Sequence, residues 1–110
     1  MQADLFSVGH AAAERSAARA DRAEPDWTES AVTAVRKYAD TLRIIHGRPE
    51  SFLAEKARAH AEMHGLSEPP DSRAWGHVMQ LCKRRKILKP VGYAPAESSN
   101  GSPKVLWREV

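Results

Sequence analysis

Residues 69–93, PPDSRAWGHVMQLCKRRKILKPVGY, constrain the chain most, because a helical and an extended periodicity meet within them. Wound at 3.6 residues per turn, Asp71 to Arg85 separates into two faces. Ala74, Trp75, Val78, Met79, Leu81 and Cys82 occupy a broad apolar arc. Arg73, Gly76, His77, Gln80, Lys83 and Arg84 occupy the other side, which has no acid and no large apolar residue. After Lys86 the pattern changes to Ile87-Leu88 and Val91-Gly92-Tyr93, with Pro90 placing any strand there at an edge or a bulge. The segment reads as a helix with a basic, polar outer face that runs into a hairpin. Such a face carries the side chains that reach phosphates and base edges.

Charge placement supports the same reading. Arg73, Lys83, Arg84, Arg85, Lys86 and Lys89 stand in residues 73–93 against no acid, giving +6 locally. The whole chain carries +3, so the other residues sum to −3 (+3 less +6). The helix dipole accounts for cations in a last turn, but not for Arg73 in a first one.

The earlier segments supply the scaffold. Residues 1–26 open with the apolar Leu5, Phe6 and Val8 and continue into HAAAERSAARADRAE, whose Ala, Arg and Glu favour a helix. This stretch lacks a wide apolar stripe, and its Arg15, Arg19 and Arg22 are balanced by Glu14, Asp21 and Glu24. It is expected to form a frayed or partner-dependent arm that ends at Pro25. Trp27 begins the compact part. Thr28 is the expected N-cap of a helix whose core stripe is Val32, Val35, Tyr38, Ala39, Leu42 and Ile45. Gly47 and Pro49 break that helix, and Phe52 forms a brief extended piece beside a later hairpin. Leu53 to His64 form a second helix closed by Gly65, and Asp71 caps the third. Residues 94–103 are loop, with a tight turn at Asn100-Gly101, and Lys104 to Arg108 return as a strand.

Composition sets the outer limits. At 110 residues the chain allows one domain plus an arm, and its core is modest because alanine inflates the 42% hydrophobic share. One cysteine excludes an internal disulfide framework, and no apolar run approaches the ~18 residues that a membrane helix needs. The first ten residues carry an acid and no basic run, unlike a secretory leader. A cytoplasmic protein that does not engage membranes is expected. His60 and His64 share a helix face, but Glu62 is misplaced for a zinc-protease motif and no third ligand is near in sequence, so no metal or cofactor is expected. No phosphate-cradling glycine loop, nucleophile elbow or paired-carboxylate motif appears, which argues against an enzyme.

The order helix, short extended piece, helix, turn, helix, hairpin is that of a winged helix-turn-helix domain. PPDSRAWGHVMQLCKRRKIL and VGYAP, followed by a polar loop and KVLW, resemble small uncharacterised phage and prophage proteins. Those carry a PPDPRAWG-like helix start before a strand and a GY wing. The resemblance covers Trp27 to Trp107. It implies a mainly α chain with a small β-hairpin (α+β), three core helices plus a wing, over the winged-helix domain 27–110; residues 1–26, outside the resemblance, are read as an Ala/Arg-rich helix or arm. It departs from the pattern at Leu53, Ala54 and Lys56, where such proteins often carry a hydroxyl residue and acids. By that resemblance the chain binds double-stranded DNA in a regulatory, replication or recombination setting. The third helix (71–86) would then enter the major groove, with Arg73, His77 and Gln80 as base readers. Lys83, Arg84, Arg85 and Lys86 would hold phosphates, and Asn100 and Lys104 would contribute from the wing. The alternative is an adaptor that recruits or inhibits a host replication or defence factor. Exposure of the third helix favours DNA, and its coverage by the arm or by a second subunit, as in a dimer, favours the adaptor.

Overall fold

The computed structural model describes the backbone of residues 5–97 and 100–110 and the side chains from Ala11 onward. The Leu5, Phe6 and Val8 side chains, the loop residues Ser98 and Ser99 and the first four residues lie outside that description. Among the described residues the chain is α+β, with four helices and one three-stranded antiparallel sheet. The elements are α1 (Leu5–Ala23), α2 (Trp27–His46), β1 (Phe52–Leu53), α3 (Ala54–Met63), α4 (Ala74–Arg84), β2 (Leu88–Pro95) and β3 (Pro103–Glu109).

The two tryptophans that open α2 and α4 meet edge to face, with centroids 5.4 Å apart and planes at 79°. Both are almost fully buried. Trp27 Nε1 donates to the Ser67 carbonyl at 2.8 Å, which pins the α3–α4 connection to the base of α2. Val35, Val78, Cys82 and Leu88 fill the space behind them, and Trp107 of β3 closes the sheet side. Trp75 and Cys82 therefore point inward, as their arc on the helix predicts.

In the sheet β3 is central, with β1 and β2 at its edges. Phe52 pairs with Trp107, so the short extended piece does lie beside the hairpin. The β2–β3 register shifts between Pro90 and Gly92, which leaves Val91 as a bulge next to a proline that cannot donate to the ladder. Asn100 and Gly101 adopt left-handed backbone (φ 53° and 84°), the conformation a tight hairpin turn requires.

Three local expectations are corrected. Thr28 is not the cap of α2: Asp26 holds that position in a left-handed conformation without a side-chain cap. Instead the Thr28 N–H donates to Asp21 Oδ1 at 2.9 Å, so the end of α1 caps the start of α2. Ile45 is not core; it is 69% exposed, beside an exposed Ile44. A 20-residue helix is about 30 Å long, whereas its neighbours α3 and α4 have 10 and 11 residues, so the last turn reaches past them and, among the described residues, is tied to the sheet by the Arg43–Glu109 ion pair at 3.0 Å. Helix α4 begins at Ala74 rather than Asp71, after a tightened turn in which Ala74, Trp75 and Gly76 donate to carbonyls three residues back.

The alanine-rich segment expected as an arm is seated on the core. Ala13, Ser16, Ala17 and Ala20 are buried, and Ala17 and Ala20 join the cluster that holds Trp27 and Val78. Small side chains allow close approach of two helices, and α1 uses them mainly against α4.

The two tryptophans should respond differently to loss of the indole nitrogen. Trp27→Phe removes a hydrogen bond, whereas Trp75 Nε1 has no partner among the described residues. Denaturant titration should find Trp27→Phe less stable than Trp75→Phe by about 1 kcal/mol. Equal losses would mean that the bond to Ser67 contributes nothing.

Candidate nucleic-acid interface

The outer face of α4 follows from its sequence: five inward residues leave Arg73, Gly76, His77, Gln80, Lys83 and Arg84 on the other side. Tertiary structure then treats these residues unequally. Helix α1 crosses α4 at Gly76, where a Cβ would lie 3.6 Å from Ala13 Cβ. Ala13 and Glu14 enclose a small crevice with His77, Gln80 and Arg84. His77 and Gln80, two of the three expected base readers, are therefore half-buried beside α1.

Arg73, the third, is exposed but bound. Its Nε and Nη2 donate to Asp71 Oδ2 at 2.9 and 2.6 Å, and its backbone N–H donates to Oδ1 at 2.9 Å. These bonds, with a further one from Ser16, hold the Asp71 carboxyl well below the usual carboxylate range. Arg85 is also committed: Nη1 and Nη2 grip the Glu29 carboxylate at 2.8 and 2.6 Å, which ties the end of α4 to the first turn of α2. Bidentate pairs of this kind fix geometry as well as charge.

Lys83, Arg84 and Lys86 differ from both. All three are exposed, and among the described residues none forms an ion pair. Lys86 occupies the left-handed position just past the helix (φ 59°), where glycine is the easy residue. The hairpin contributes Asn100 at its tip and Lys104 at the start of β3, both exposed. Between hairpin and α4 runs a groove of about 320 Å³ floored by Leu53, Trp75, Met79 and Trp107 and edged by Gln80 and Lys104. The hairpin's connecting loop is fixed to α3, because the Glu97 N–H donates to Glu55 Oε1 at 3.0 Å and its carboxylate lies 3.5 Å from Lys56 Nζ.

Other reactive-looking groups are accounted for by packing. Cys82 is fully buried, and desolvation pushes its thiol up to about 11. The His60 and His64 rings stack at 4.2 Å, and His64 Nδ1 bonds to the His60 carbonyl at 2.8 Å. Among the described residues no group of three or more His, Cys, Asp or Glu is placed to hold a metal, and no helix is long and apolar enough to cross a membrane.

The coverage of His77 was missed by helix-face reasoning. A signal was present: Ala13, Ser16, Ala17 and Ala20 recur at helical spacing, and Gly76 interrupts a helix at a cost that close approach by another backbone offsets.

Burial lowers the pKa of His77 below its ordinary 6.5, although Glu14 and Asp21 oppose the shift. The unfolded chain therefore binds more protons in the mildly acid range. The stability gained by burying neutral His77 is present above about pH 6.5 and is lost as pH falls below that value. His60 is lowered by burial in the same direction and contributes a common background. Denaturation midpoints for wild type should fall from about pH 7.5 to about pH 5.5, and His77→Gln should fall less. Identical pH profiles would show that α1 does not bury this ring. Comparison with protein-family models, with curated proteins and with solved structures found no match, so the functional reading rests on the chain's own residues.

Proposed function

We propose that the chain is a non-enzymatic double-stranded DNA-binding protein of winged-helix arrangement, with a regulatory or replication/recombination accessory role of the kind its phage-like sequence suggests. The carrying observation is the set Lys83, Arg84 and Lys86, which stay exposed and, among the described residues, without ion pairs where α4 ends. Neighbouring cations are neutralised by Asp71 and Glu29, so these three retain their charge for an external anion. The order α2-β1-α3-α4-β2-β3, with β1 paired to β3, supports the arrangement. In it Lys83, Arg84 and Lys86 hold phosphates, and Asn100 and Lys104 add weaker contacts from the hairpin.

One observation favours a second reading, the protein-interaction adaptor. Helix α1 occupies the Gly76–His77–Gln80 side of α4, where direct base readout would need free side chains. That reading takes the covered helix as scaffold and looks for a protein partner.

Fluorescence anisotropy with a labelled random duplex across a salt series separates the two. Each phosphate contact contributes about −0.9 to the slope of log K against log salt. Lys83→Ala/Arg84→Ala/Lys86→Ala should flatten the slope by about 2 to 3. A folded wild-type protein that fails to bind duplex at low salt would end the DNA reading and leave the adaptor.

A further inference from the structure

If α1 covers part of α4, the surface offered outward is that of α1 itself. Ala13, Ser16, Ala17 and Ala20 form its buried face. At 100° per residue, Arg15, Arg19 and Arg22 (spaced i, i+4, i+7) fall within about 60° of arc on the opposite side. All three are exposed, and among the described residues none has an ion pair or hydrogen-bond partner. The acids that balance them in sequence lie elsewhere: Asp21 accepts from the Thr28 N–H, and Glu14 lines the crevice with His77 and Arg84. A segment that is neutral on paper therefore carries its arginines as one outward row, with Glu14 and Asp21 on a separate flank of the helix and the exposed Glu24 just past its end. The helix dipole accounts for Arg22 in the last turn. It does not account for Arg15 and Arg19.

We propose that α1 remains seated on α4 and that Arg15, Arg19 and Arg22 bind the phosphate backbone of duplex DNA. This rests on the DNA reading above and adds the outer face of α1 to the phosphate-binding residues at the end of α4. A straight row of guanidinium groups suits a linear polyanion, because each planar fork takes a phosphate through two parallel hydrogen bonds. Insertion into a membrane surface would need a large apolar face on α1, and among its described side chains the inward face is alanine and serine already packed on the core.

The test uses full-length protein, a random-sequence labelled duplex and a salt series. Arg15→Gln/Arg19→Gln/Arg22→Gln keeps helix propensity nearly constant, so the melting transition should be retained. The slope of log K against log salt should flatten by about 2 to 3, with affinity falling by roughly tenfold per contact near about 0.1 M salt. A second variant, Ala13→Cys/Gly76→Cys, locks α1 to α4, since the 3.6 Å Cβ separation falls within disulfide range. The oxidised, locked protein should bind duplex as tightly as the reduced one. An unchanged slope in the arginine variant, with wild type binding DNA, would overturn the proposal. So would a locked protein that binds only after reduction, since α1 would then have to leave α4. Failure of wild type itself to bind duplex, or its binding only to anionic phospholipid vesicles, would remove the DNA reading and this proposal with it.

Discussion

The contact between Trp27 and Trp75 is the joint on which the remaining packing depends. Each residue lies in the first turn of its helix, and their edge-to-face approach at 5.4 Å joins α2 to α4. The hydrogen bond from Trp27 to Ser67 carries that constraint into the connection before α4. A core this small has few large side chains, so two buried indoles supply much of its apolar area. Once α2 and α4 are fixed, Leu88 and Trp107 bring the hairpin against them, and Phe52 extends the sheet by one short strand.

Helix α1 adds to this frame by a different means. It has no large side chain among its buried described residues, only Ala13, Ser16, Ala17 and Ala20. Its hold comes from close approach at Gly76 and from the cap that Asp21 lends α2. The same shortness of side chain brings α1 directly over His77 and Gln80. Coverage of the α4 face and attachment of α1 are thus one physical event.

Electrostatics then sorts the cations. Arg73 and Arg85 face carboxylates at hydrogen-bond distance and act as internal clamps. Lys83, Arg84 and Lys86, together with the outer row of α1, keep their charge for solvent or a polyanion. Net charge alone conceals this, because a +3 total contains pairs that cancel locally and groups that do not. The proposed interface therefore rests on the groups that have no ion pair among the described residues.

Much of the fold was legible because it follows from neighbours in sequence. The inward arc of Trp75, Val78, Met79 and Cys82, the bulge beside Pro90 and the turn at Asn100-Gly101 each depend on a few adjacent residues. The site was only half legible. Arg85 and Glu29 are 56 positions apart, and no periodicity links them. An alanine stripe gives only a weak amphipathic signal, so the spacing of Ala13, Ser16, Ala17 and Ala20 hinted at the seat of α1 without identifying the face of α4 it covers. Sequence by itself determined which segments are helical or extended and which side chains share a face, since backbone geometry fixes those relations within a few residues. Tertiary structure decided which of the basic residues are covered, clamped or free, because burial and ion pairing depend on groups that only folding brings together.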